Sequence, residues 1–321
     1  MASKTGKGAP YVSPSSLGKH VDTPINATID DQQNLRAIGL MVLSMLCFAF
    51  EDMFIKIAAR EISVGQVLLI LGAVGGVFYV VMAYMRGEVL TRAIATDKLL
   101  WARTISEIVG AFGFVMALAL IPLSNAAAIL QATPLVITMA AALLLKESVG
   151  WRRWTAVFVG FLGVLLIIRP GSAGFDSNSI FALIGVLGMA GRDVITRRVP
   201  SHVPTTWISA QAFWGVALLG LVMLAGPQQW HPLSSYNFGI LTIASVIGIV
   251  GYFAVTTAAR IGETSAIAPF RYSRLIFALI IGFTVFNERP DGWMLFGSAI
   301  LISTGIYAIY RERIVARRSA G

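Results

Sequence analysis

Residues 123–171 read LSNAAAILQATPLVITMAAALLLKESVGWRRWTAVFVGFLGVLLIIRPG, and residues 263–310 read ETSAIAPFRYSRLIFALIIGFTVFNERPDGWMLFGSAILISTGIYAIY. Each has a helical run rich in small residues, a Glu at its end, a short turn and then a Gly-containing run. Glu147 and Glu288 are 141 residues apart, and that spacing recurs outside the two stretches, between Asp52 and Asp193 and between Lys56 and Arg197. Trp151 matches Trp293 and Gly163 matches Gly305 after a slip of one residue. The chain reads as two copies of one unit.

Working outward, a helix needs roughly 20 apolar residues to cross the hydrocarbon of a bilayer. Ten windows qualify: 36–58, 63–85, 99–121, 125–145, 153–168, 178–199, 204–225, 238–259, 264–286 and 291–310. Trp101, Trp151, Trp154, Trp207 and Trp293 fall near helix starts, and Tyr84 and Tyr310 near ends, at the headgroup depth amphipathic rings prefer. Five spans per copy is an odd number, so the second copy lies upside down relative to the first. The fold expected is an all-α polytopic membrane protein, ten transmembrane helices as two inverted five-helix repeats.

Composition demands the same environment. Of 321 residues, 56% are hydrophobic and 13% charged, with a mean hydropathy of +0.76, whereas soluble domains carry about 25% charge. The surplus apolar surface must face lipid, the first expected partner. The net charge of +9 does not argue for nucleic acid, because the basic residues sit between apolar runs rather than on a stacking platform. With the N-terminus cytoplasmic, the inner set is Arg36, Arg86, Arg92, Lys98, Lys146, Arg152, Arg153, Arg197, Arg198, Arg260, Arg311, Arg313, Arg317 and Arg318. The outer set is Arg60, Arg169 and Arg289, so the count is 14 against 3. That asymmetry places both termini in the cytoplasm of an inner-membrane protein. Residues 1–35 form a polar tail expected to be disordered and uncleaved, and 311–321 a basic cytoplasmic tail.

The two quoted stretches resemble the drug/metabolite transporter superfamily, specifically its EamA group, with one EamA repeat over 36–170 (helices 1–5) and a second over 178–310 (helices 6–10). The resemblance implies secondary transport of a small organic solute by alternating access, with no cofactor. No G-x-x-x-x-G-K-[ST] loop stands in the sequence to suggest a nucleotide-driven motor. Proteins of this kind export amino acids or drugs, and some import riboflavin or S-adenosylmethionine. Riboflavin uptake is the substrate expectation, and amino-acid or drug export the alternative. The sequence departs from a plain family pattern at the charged pairs Glu51-Asp52 and Arg192-Asp193 in helices 1 and 6.

Ionisable residues in spanning helices are costly and mark a pathway or a partner. The substrate-binding or coupling candidates are Glu51, Asp52, Glu107, Arg192, Asp193, Arg271 and Arg274. Asp52 with Lys56 and Asp193 with Arg197 are spaced i,i+4, as ion pairs or as bases snorkelling to an interface. Glu51 has no such local partner, so it is a candidate for a proton or a cationic group, with protons the candidate coupling ion. Arg103 shares a face with Glu107 near a helix end and reads as an anchor. Arg271 and Arg274 either meet acids of other helices or face a cavity that accepts an anionic solute. Trp214, Phe270 and Tyr272 are the aromatics expected beside a ring-bearing solute. Gln66 and Gln131 read as interhelical hydrogen-bonding groups, and Pro134 and Pro269 as points where helices 4 and 9 loosen. Glu147 and Glu288 read as turn caps.

An intramembrane enzyme is the alternative from another class, and the sequence gives it little. His20, His202 and His231 lie in the tail or in loops, Cys47 is the single cysteine, and no G-x-S-x-G elbow is present. No catalytic residue and no metal site is assigned.

Overall fold

The computed structural model describes residues 24–144, 150–172, 176–200, 202–226, 230–262 and 264–319. Among them there is no strand, and ten helices are long and apolar enough to cross a membrane. They are α1 (Pro24–Ala58), α2 (Val64–Met85), α3 (Lys98–Leu120), α4 (in two pieces, Leu123–Leu130 and Thr133–Leu144), α5 (Trp151–Ile168), α6 (Ser179–Thr196), α7 (Thr205–Ala225), α8 (Ser235–Ile261), α9 (a 3-10 turn Ala268–Tyr272 running into Ser273–Phe286) and α10 (Gly292–Ser319). The protein is a polytopic all-α membrane protein.

Local chemistry sets several of these starts. Ser63 and Gln66 form a reciprocal capping box at α2, Asp97 accepts from the Leu99 and Leu100 amides at α3, and Ser234 accepts from Asn237 at α8. Two boundaries differ from the expectation. Helix α1 begins at Pro24 rather than Arg36, so residues 24–35 of the tail expected to be disordered are helical. Proline suits a first turn because its missing N–H has no helical acceptor there, and once α1 exists each added residue gains a hydrogen bond. The basic tail likewise continues α10 to Ser319. Residues 1–23 and Glu147 lie outside the described residues.

Helix α4 breaks after Leu130. Pro134 has no N–H to give the Leu130 carbonyl, and Thr133 Oγ1 donates to that carbonyl at 2.6 Å instead. Gln131 Nε2 donates to the Tyr272 carbonyl at 3.2 Å, in the 3-10 turn that Pro269 opens. Gln131 and Tyr272 are themselves 141 residues apart, so the two interrupted helices meet at equivalent positions.

The packing crosses between the halves throughout. Helix α2 lies on α7, α3 on α6, α1 on α8 and α5 on α10, with lesser contacts of α4 on α6 and α1 on α9. Replace every helix by the one five places on, and the set maps onto itself: α2·α7 and α5·α10 are self-paired, α3·α6 exchanges with α1·α8, and α4·α6 with α1·α9. Two interdigitated, inverted repeats give this pattern. Small residues let the pairs close, since a methyl on Gly188 of α6 would lie 2.2 Å from the Gly110 nitrogen of α3. The outer faces carry Val77, Val81, Phe158, Leu218, Val222, Ile276 and Phe283 exposed, which is the surface that lipid covers.

The α1–α2 end of the bundle is tied by polar contacts. Gln66 exchanges two hydrogen bonds with the His231 backbone, at 2.7 and 2.9 Å, and Asn237 Nδ2 donates to Glu61 at 2.8 Å. Arg169 pairs with Asp291. Asn287 ends α9 at φ 53°, a left-handed conformation that Asn tolerates. The resulting turn delivers the Glu288 carboxylate to the start of α4, where it accepts from the Leu123 amide (2.6 Å), the Ser124 amide (2.9 Å) and the Ser124 hydroxyl (2.7 Å). A carboxylate at a helix N-terminus satisfies orphan donors and opposes the helix dipole.

Candidate functional site

Asp52 sits on α1 and its residue is 2% exposed. Arg274 reaches it from α9 through Nε at 3.0 Å and Nη2 at 2.7 and 2.8 Å. Its guanidinium lies over the rings of Phe48 at 5.3 Å and Phe114 at 5.1 Å. A planar, delocalised cation can take a bidentate acid and stack on aromatics at once. Arg274 therefore joins α1, α9 and α3.

On α3 and α6 the charges form a chain. Arg103 Nη2 pairs with Glu107 Oε2 at 3.0 Å, Glu107 Oε1 with Arg192 Nη1 at 3.0 Å, and Arg192 Nε with Asp193 Oδ1 at 2.8 Å. Arg103 is 5% exposed, so it is a buried member of this network and not the interfacial anchor expected. The Nε and Nη1 of Arg103 find no acceptor among the described residues.

The expected i,i+4 pairs do not form. Lys56 leaves Asp52 to Arg274 and donates to the Leu118 carbonyl at 2.9 Å and the Ile121 carbonyl at 2.5 Å. These carbonyls are at the end of α3, where the chain turns into Pro122 and the helix has no further amide to offer them. Arg197 is exposed at the end of α6, while Asp193 is held by Arg192.

All seven candidates line one cavity of about 480 Å³, together with Arg103. Of the eight charged groups, Asp52, Glu107, Arg103, Arg192, Asp193 and Arg274 are held in the pairs above. Glu51 and Arg271 line the wall with no ion pair among the described residues. The aromatics on the wall are Phe48, Phe114, Phe213 and Tyr252, a correction to the expected Trp214, Phe270 and Tyr272. Trp214 and Phe270 are 45% and 37% exposed on other faces, and Tyr272 packs against Gly305 of α10. In the sequence Phe48 and Phe114 are only apolar helix positions, because their stacking on Arg274 depends on packing between helices. The lining runs toward the α2–α3 end, where Thr196 and Arg271 are exposed, and stops at Ile55 and Leu68 near the opposite end. There Lys56 and Glu288 fasten α1, α3, α4 and α9 together.

A cavity walled by both halves of an inverted repeat is the arrangement of a carrier. The model of the EamA-like transporter family matches residues 35–169 and again 177–311. The chain belongs to this family. It is 26% identical to the S-adenosylmethionine uptake transporter of Rickettsia prowazekii over 61% of this chain and 66% of the length of that relative. It is 24% identical to the riboflavin transporter of Vibrio cholerae over 87% of this chain and 94% of that one, and 24% identical to the pseudopaline exporter CntI of Pseudomonas aeruginosa over 82% and 92%. A solved crystal structure superimposes with a TM-score of 0.57 at 16% identity, covering 87% of this chain and 98% of the other, a likeness of fold. The EamA-like protein described here is thus a drug/metabolite-type membrane transporter for a small molecule.

Proposed function

We propose that this EamA-like protein is a secondary carrier of the inner membrane, both termini cytoplasmic, that moves a small organic metabolite by alternating access through the cavity between α1, α3, α6 and α9. The observation that carries the reading is the packing pattern: contacts that map onto themselves when the halves exchange, around a cavity closed at one end and reaching toward the other. On the charge-derived orientation the reachable end is cytoplasmic. The exchanged arrangement would close it and open the end now fastened by Lys56 and Glu288.

Riboflavin uptake is the substrate reading supported by the Vibrio cholerae relative, whose alignment covers the most of both chains among the relatives compared. Export is the second reading, supported by the pseudopaline exporter. Protons are the proposed coupling ion. Asp52, Glu107 and Asp193 are pinned by guanidinium groups, so Glu51 carries this role.

Counterflow in proteoliposomes tests the carrier. Vesicles preloaded with unlabelled riboflavin, methionine or phenylalanine should transiently accumulate the labelled form of a transported solute, whereas protein-free vesicles should not. An imposed pH gradient should change the accumulation, and Glu51→Gln should abolish that response. Failure of every solute to show counterflow would sink the carrier reading. A response to the gradient that survives Glu51→Gln would remove Glu51 from coupling.

A further inference from the structure

Eight charged side chains line the cavity: the guanidinium groups of Arg103, Arg192, Arg271 and Arg274 and the carboxylates of Glu51, Asp52, Glu107 and Asp193. In their ordinary ionised forms they sum to zero, but they do not cancel locally. Where α1 meets α9, two acids (Glu51, Asp52) share one base, Arg274, which Asp52 takes in bidentate fashion. Where α3 and α6 meet the start of α9, three bases (Arg103, Arg192, Arg271) face two acids, and two donors of Arg103 remain unclaimed. One region carries an unmatched negative charge and the other an unmatched positive one.

The repeat explains why Glu51 is left over. Its counterpart 141 residues on is Arg192, which Glu107 neutralises; the counterpart of Glu107 is Gly248. At the α1–α8 contact the acid stands where the base should be, and a glycine stands where its partner should be. Glu51 lies directly against that glycine, and a methyl there would come within 2.4 Å of its Oε1. The Glu51 carboxylate itself fills the space where that partner's side chain would begin.

We propose that the cavity selects a small zwitterion, with Glu51 taking its cationic group from its place on the cavity wall beside Gly248 and Arg271 taking its carboxylate. Being net neutral, such a solute leaves no uncompensated charge in a membrane-embedded site, and a volume of about 480 Å³ suits a metabolite of this kind. A guanidinium offers the carboxylate a bidentate partner. This inference rests on the carrier reading, names the substrate class of that same cavity and replaces riboflavin with the amino-acid alternative as the expected solute.

The test is the counterflow assay with charge-matched competitors. Labelled phenylalanine and methionine are the zwitterions, their methyl esters lack the anion, their N-acetyl derivatives lack the cation, and riboflavin is the neutral control. At least one zwitterion should show counterflow, with its ester and N-acetyl forms competing at least tenfold more weakly. Glu51→Gln should erase the preference over the N-acetyl form, and Arg271→Gln the preference over the ester, with partial recovery in Arg271→Lys. Gly248→Ala, which keeps every charge, should weaken zwitterion competition by displacing the Glu51 carboxylate. Monodisperse elution of each variant excludes misfolding. Counterflow of riboflavin without any zwitterion overturns the inference and leaves the carrier standing. So does a wild-type preference for zwitterions that Glu51→Gln and Arg271→Gln leave intact, or a Glu51→Gln variant that loses only the response to pH. Failure of all solutes overturns both.

Discussion

Glu51 and Asp52 are adjacent in sequence and about 100° apart around α1, and that rotation separates their fates. Asp52 turns toward α9 and is consumed by Arg274, whereas Glu51 turns toward α8 and meets a glycine. The sequence shows both acids in an apolar run, which is enough to single them out. It cannot show which neighbour each will face, because that depends on how helices 222 residues apart cross. The same limit explains the misplaced aromatics and the lost Lys56 pairing, since both were settled by a neighbouring helix. Removing one partner of a buried ion pair strands the other and typically costs about 3–5 kcal/mol. Asp52→Asn should therefore lower the melting temperature of the purified protein far more than Arg274→Lys, which retains the charge and loses the fork. Equal melting temperatures for wild type and Asp52→Asn would show that the pair contributes nothing to stability.

At the scale of elements, the ten helices were readable because each must offer an unbroken apolar run, and hydrophobicity is a local property. The α4 interruption was foreshadowed by Pro134 alone, and the extension of α1 back to Pro24 was not, because a polar helix end carries no hydropathy signal. Helix pairing depends on close approach at small residues. A side chain on Gly188 meets the α3 backbone, which cannot yield as a flexible side chain could. Gly188→Ala should destabilise the protein by roughly 1–3 kcal/mol through overpacking. Gly39→Ala, where nothing lies within 4 Å, should change stability little. Comparable thermal unfolding of the two variants would contradict the α3–α6 contact.

For the whole molecule, the 141-residue echo was the most informative signal in the chain, since it joined a membrane protein to an architecture of two inverted halves. What it could not supply was the asymmetry between equivalent contacts: Glu107 with Arg192 where α3 meets α6, Gly248 with Glu51 where α8 meets α1. Exchange of the halves is the central claim. With Cys47 replaced by serine, single cysteines at Thr196, exposed at the reachable mouth, and at Ile121, 2% exposed at the fastened end, report on it through their rates of reaction with a water-soluble thiol reagent. Thr196→Cys should react fast and Ile121→Cys slowly in the absence of solute. A saturating solute that passes the counterflow assay should slow the first and speed the second. Fast reaction at both positions at once, or rates that ignore the transported solute, would contradict alternating access.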